Sequence, residues 1–121
     1  MAIIVKSKHS EYIKAKIPVL INERMVDTWE YDGDGDYTHV FQQLHNKAWM
    51  RAIIEDGNLI FYIIGRKMCL LSIEDYSAYH SRMAELIISH FGDFIDQITI
   101  IPPFKYEKDT KNIDLNYGPN N

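Results

Sequence analysis

The densest group of residues able to do chemistry is the run Asp32-Gly33-Asp34-Gly35-Asp36. Hard cations such as Ca²⁺ and Mg²⁺ need several oxygen ligands, and carboxylates at alternate positions of a glycine-containing loop can supply them. Asp32, Asp34 and Asp36 have the spacing of the first three ligands of an EF-hand loop and are the candidate metal ligands. The match is partial, because the sixth position is Tyr37 where the motif needs Gly, and the twelfth is Gln43 where it needs Glu. The plainer reading is a solvated acidic loop that places negative charge at the N-terminus of a following helix, where the helix dipole favours it. No other cofactor is expected.

The five histidines are His9, His39, His45, His80 and His90, and no two stand four residues apart as His-x-x-x-His does. His80 is the candidate catalytic residue, because it falls within an apolar helical stripe. There it is either a general base lining a pocket between helix and sheet or a core imidazole bonded to a backbone carbonyl or a tyrosine hydroxyl. The only cysteine, Cys69, is a conceivable nucleophile with His80 as its base, but it sits in the apolar run Met68–Leu71, where a thiol packs as a small hydrophobe. Gly33 and Gly35 form a Gly-x-Gly, yet the third glycine is missing and carboxylates surround the pair, so phosphate binding fails on electrostatics.

These groups must be positioned by elements read from periodicity. Ala2–Lys6 is a short β-branched run and a strand. From Ile13 to Ile21 apolar residues alternate with Lys14, Lys16 and Pro18, which predicts a strand with one wet face. Pro18 would confine that strand to an edge; a helix over Ser10–Lys16 is the alternative. Met25–Tyr31 follows as a second strand. Asp36 or Thr38 caps a short helix to about Lys47, with Val40, Phe41, Leu44 and Ala48 on one stripe. Trp49–Glu55 and Asn58–Gly65 form a hairpin, since Asp56-Gly57 suits a tight turn of positive φ. Leu59–Ile64 is apolar on both faces and belongs in the middle of the sheet. A short strand follows at Met68–Leu71.

Ser72-Ile73-Glu74-Asp75 is a capping sequence before a long amphipathic helix. At 100° per residue, Ile73, Tyr76, His80, Met83, Ala84, Ile87 and Phe91 share a stripe flanked by Tyr79, Leu86 and His90, while Glu74, Arg82, Glu85 and Ser89 face away. Gly92 follows as the C-terminal stop, and Phe94–Ile101 is a last strand ended by Pro102-Pro103.

The sum is an α+β fold: two layers, a mainly antiparallel sheet with one long and one short helix packed on it. Residues 1–103 make a single domain and 104–121 a C-terminal tail whose composition supports no core of its own. The 121 residues, 46% hydrophobic and 25% charged, suit one globular domain able to bury roughly two-thirds of its unfolded surface. The net charge is −4, concentrated in the five acidic residues of 27–36. Lys6, Lys8, Lys14, Lys16 and Arg24 make a basic N-terminal region too modest for general nucleic-acid binding. With a single cysteine and no leader-like or membrane-length apolar run, a cytoplasmic location is expected.

Six aromatic residues (Trp29, Tyr31, Tyr37, Trp49, Tyr76 and Tyr79) exceed what a small core needs, and Tyr and Trp are enriched where partners meet. The expected function is therefore a small non-enzymatic binding or interaction module, homodimeric through Tyr76, Tyr79, Met83, Leu86 and His90. Its partners would be a second copy, a protein or a small ligand. A small enzyme using His80 or a metal at the acidic loop is the competing class, and a nucleic-acid-binding accessory protein the third.

Overall fold

The computed structural model describes residues 2–66 and 71–102, together with the backbone of 113–114. Cys69 and nearly all of the tail lie outside the described residues. The elements run β1 (Ala2–Lys6), α1 (Ser10–Asn22), β2 (Trp29–Tyr31), β3 (Asp36–His39), β4 (Ala48–Glu55), β5 (Asn58–Gly65), β6 (Leu71–Ser72), α2 (Ile73–Phe91), β7 (Gln97–Ile101) and β8 (Ile113–Asp114). Six strands form an antiparallel sheet in the order β2-β3-β4-β5-β1-β7. The expected α+β architecture, a mainly antiparallel sheet with a long and a short helix, is what the chain adopts. Leu71–Ser72 pairs in parallel with Ile113–Asp114, which ties two residues of the tail to the start of α2.

The central hairpin follows from its turn. Asp56 and Gly57 have φ values of 53° and 81°, and the β4–β5 ladder runs from Glu55↔Asn58 to Ala48↔Gly65. These positive angles match the twist of the flanking strands. β5 lies between β4 and β1, as its two apolar faces require. Strand alternation assigns Ile3, Val5, Met50, Leu59, Phe61 and Ile63 to the face that carries the core, where they cluster with residues of both helices.

α2 begins as its sequence directs: the Ser72 hydroxyl accepts a hydrogen bond from the Asp75 amide at 2.9 Å. Tyr76, Tyr79, His80, Met83, Ala84, Leu86, Ile87 and Phe91 are its buried residues. Its end differs from expectation. Gly92 has φ −52°, and the chain continues into a 3₁₀ turn over Gly92–Phe94, so this glycine is not used for a left-handed stop.

Three expectations are overturned. The segment Ile13–Ile21 is helix, not strand. Ile13, Ile17 and Leu20 are the residues that reach the core, while Val19 is exposed. Positions 13, 17 and 21 satisfy a period of two and a period of 3.6 equally well, so alternation alone could not separate them. Pro18 accordingly lies inside α1 and not on a sheet edge. The expected strand Met25–Tyr31 shrinks to Trp29–Tyr31, with Met25 and Asp27 exposed.

The short helix expected from Asp36 to Lys47 does not form. Asp36–His39 is strand β3, and Phe41–Lys47 is a compact turn in which Leu44 and His45 amides both donate to the Phe41 carbonyl. Leu44 and Ala48 are buried, whereas Val40 and Phe41 are exposed. Pairing of Tyr37 with Met50 and of Trp29 with His39 outweighs a local helix whose apolar stripe had only four members. The second helix of the fold is thus α1. No helix among the described residues is long and apolar enough to cross a membrane.

Candidate functional site

The acidic run is the turn of the β2–β3 hairpin. The Asp32 carboxylate folds inward and accepts from the Asp34 and Asp36 amides, both at 2.9 Å, while Gly35 (φ 84°) closes the turn. Asp36 pairs with Arg51 through Nε···Oδ1 and Nη2···Oδ2 contacts of 2.8 Å each. That bond pushes the Arg51 guanidinium above its ordinary range. Asp34 remains exposed. The structure therefore turns two of the three candidate metal ligands toward structural bonds. Among the described residues no three His, Cys, Asp or Glu side chains gather as a metal-binding group. Asp36 caps no helix; its place in strand β3 removes that role.

His80 is sealed in the core. Its Nδ1–H donates to the Tyr76 carbonyl at 2.8 Å, its ring stacks on that of Tyr76 at 4.7 Å, and its exposure is 1%. Tyr79 is equally buried, and burial pushes its phenol above the ordinary range. The Tyr79 hydroxyl donates to the Leu44 carbonyl and lies 3.1 Å from Thr38 Oγ1, so it pins the Phe41–Lys47 turn to α2. Of the residues expected to meet a second copy, Tyr76, Tyr79, Met83 and Leu86 are covered by their own chain, and only His90 is exposed. Trp29, Tyr37, Tyr76 and Tyr79 also belong to the core, while Tyr31 is exposed and Trp49 half-buried. The aromatic surplus is smaller than the composition implies.

Lys14 and Lys16 would share a face on a strand. On α1 they stand two residues apart, about 200° around the helix axis. The helix therefore splits the basic cluster, and Lys16 is half-buried.

Two clefts flank the hairpin. The larger, about 410 Å³, lies between α1 and the hairpin. Glu11, Lys14 and Pro18 line its helical side, and Tyr31 and Tyr37 face them with ring centroids 4.8 Å apart. The smaller, about 200 Å³, lies between the second half of α2 and residues 25–29. Arg82, Glu85 and Ser89 reach it because i, i+3 and i+7 fall on one side of a helix. Trp29 and His39, a directly opposed cross-strand pair, supply part of the opposite side. His80 lines neither cleft.

His39 is the residue that sequence reasoning passed over. It is 3% exposed, and its Nδ1 accepts from the Phe41 amide at 3.1 Å. An acceptor Nδ1 fixes the neutral tautomer with hydrogen on Nε2. Burial first, then the nearby Arg82 cation, lowers its pKa, with Glu85 acting in the opposite direction. Arg82 lies over the Phe41 ring, its Cζ 5.7 Å from the centroid. The polar stripe Arg82-Glu85-Ser89 was visible in the sequence, but it reads as a solvated helix face; only the chain crossing at 25–29 turns it into a cleft wall.

Comparison of the chain with protein-family models, with curated proteins and with solved structures finds no match in any of the three.

Proposed function

We propose that this chain is a non-enzymatic binding module that works as a homodimer, pairing through the helix-free face of its sheet and presenting the clefts beside the 25–39 segment to a ligand. The observation that carries the dimer is the composition of that face. The helices pack on one side of the sheet. Alternation places Ile4, Trp49, Ile53, Ile60, Tyr62 and Ile64 on the other, and none of them belongs to the core cluster. They stand in cross-strand register: Trp49 opposite Ile64, and Ile53 and Ile4 both opposite Ile60. In the single chain Ile60 is buried and the other five are half-buried, with Arg51 standing opposite Tyr62 among them; a self-complementary face of this kind meets itself about a two-fold axis. This moves the expected interface from α2 to the sheet.

The small-enzyme reading has less support, because His80 is sealed and its Nδ1–H is engaged by a backbone carbonyl. Sedimentation of the full chain tests the dimer. The expected result is a two-chain particle that Ile53→Lys converts to a single chain with an unchanged far-ultraviolet spectrum. An unmodified protein that sediments as one chain at micromolar concentration would defeat the reading.

A further inference from the structure

Buried hydrogen-bond donors without partners are rare in folded proteins, and each calls for an explanation. The smaller cleft contains two. His39, 3% exposed, has only its Nδ1 paired, and Trp29, 2% exposed, makes ring contacts but no hydrogen bond. Both residues line the cleft. Among the described residues the His39 Nε2–H and the Trp29 Nε1–H have no acceptor and are open to one from a ligand.

The charges around these donors narrow the acceptor. Arg82 lines the same cleft and forms no ion pair among the described residues. A guanidinium beside two neutral N–H donors favours a carboxylate, which accepts several hydrogen bonds at once. Asp27 and Glu85 also line the cleft and have no cationic partner among the described residues, so a purely anionic ligand would be opposed. A ligand carrying an ammonium next to its carboxylate answers both sets of charges. Val26 and Leu86 add apolar wall, and the volume of about 200 Å³ is below that of drug-sized pockets.

We propose that the cleft between α2 and residues 25–29 binds a free α-amino acid with an apolar side chain. The His39, Trp29 and Arg82 donors hold its carboxylate, and Asp27 and Glu85 hold its ammonium. The proposal rests on the reading of the chain as a binding module, and it names the ligand of one of its clefts.

The test is calorimetric titration of the full chain with L-leucine, L-valine and L-methionine. Two relatives of leucine serve as controls: 3-methylbutylamine, which lacks the carboxylate, and 4-methylpentanoate, which lacks the ammonium. Saturable binding of at least one amino acid is expected, with both controls weaker by about tenfold or more. Arg82→Gln should weaken amino-acid binding by about tenfold or more while moving the melting temperature little, because Arg82 is exposed and its contact with the Phe41 ring is a surface one. In nitrogen-correlated NMR spectra the Trp29 indole signal should shift on titration while that of Trp49 stays in place. Absence of binding at millimolar amino acid overturns the proposal. So do equal binding of the controls, indifference to Arg82→Gln, or shifts confined to the Tyr31–Tyr37 cleft. A chain that sediments as a dimer yet takes no amino acid loses this proposal alone. A single-chain particle that binds leucine keeps it and loses the dimer.

Discussion

Asp36 and Arg51 face each other across the β3–β4 ladder and are joined by two parallel hydrogen bonds of 2.8 Å. The Asp36 side chain is 8% exposed and that of Arg51 42%. A carboxylate so buried depends on its partner far more than the reverse. Arg51→Met should therefore cost about 1–3 kcal/mol, the penalty of leaving a buried charged acceptor unpaired. Urea unfolding measures it. A double variant, Asp36→Leu with Arg51→Met, should lose less than the sum of the two single changes. Additive losses would show that the pair is not coupled.

The same geometry bears on metal binding. Asp32 is engaged by the Asp34 and Asp36 amides and Asp36 by Arg51. We expect the melting temperature to be unaffected by millimolar Ca²⁺ or Mg²⁺, in the unmodified chain and in Asp34→Asn alike. A calcium-dependent rise in the unmodified chain, abolished by Asp34→Asn, would contradict the assignment of these carboxylates to the turn.

His80 should behave as a packing residue. In His80→Leu the Tyr76 carbonyl loses a side-chain donor but keeps its helical environment. The expected cost is about 1 kcal/mol or more, since at least one hydrogen bond is lost, with the helical signal in circular dichroism retained. Complete loss of the folded state would assign His80 a larger structural role than packing.

Acid should destabilise the protein through His39. Its folded pKa lies below the ordinary 6.5, chiefly because it is buried and then because Arg82 is near, with Glu85 opposing. The unfolded chain therefore takes up the proton first as pH falls. The contribution of His39 is complete above about pH 6.5 and declines below it, by at most about 1.4 kcal/mol per pH unit, until the folded imidazole is also protonated. His39→Asn keeps an acceptor for the Phe41 amide but cannot titrate. Its unfolding free energy should fall less steeply between pH 7 and pH 5 than that of the unmodified chain; parallel slopes would refute the assignment.

Pro18 should be a site of latent instability. A proline inside a helix lacks the amide donor and crowds the carbonyl four residues back, here that of Lys14. Pro18→Ala should raise stability by about 1 kcal/mol or more, since part of the intrinsic helix penalty of about 3 kcal/mol is offset by the stiffer unfolded chain. Thermal unfolding reads this directly, and a lower melting temperature would mean that the ring's packing outweighs the lost bond.

Much of the fold was legible where neighbours in sequence are also neighbours in space. Asp56-Gly57 dictates a hairpin because its turn needs positive φ within two residues. Ser72 and the stripe from Ile73 to Phe91 dictate a capped helix because cap and stripe are both local. Residues 13–21 were ambiguous for an equally local reason, since positions 13, 17 and 21 fit either period. Which face of the segment met a core decided the matter, and a core is a property of the whole chain.

The candidate site lay beyond local reasoning. Trp29 and His39 come together only because β2 and β3 pair, and Arg82 and Glu85 join them from more than forty residues away only because α2 packs beside that hairpin. By itself the sequence determined that this is an α+β domain with an acidic loop and a long amphipathic helix, since turn chemistry and hydrophobic period act over a few residues. Tertiary structure alone decided which side chains are sealed, which are paired and that the buried Trp29 and His39 line one cleft, because burial and partnership depend on segments that meet only once the chain has folded.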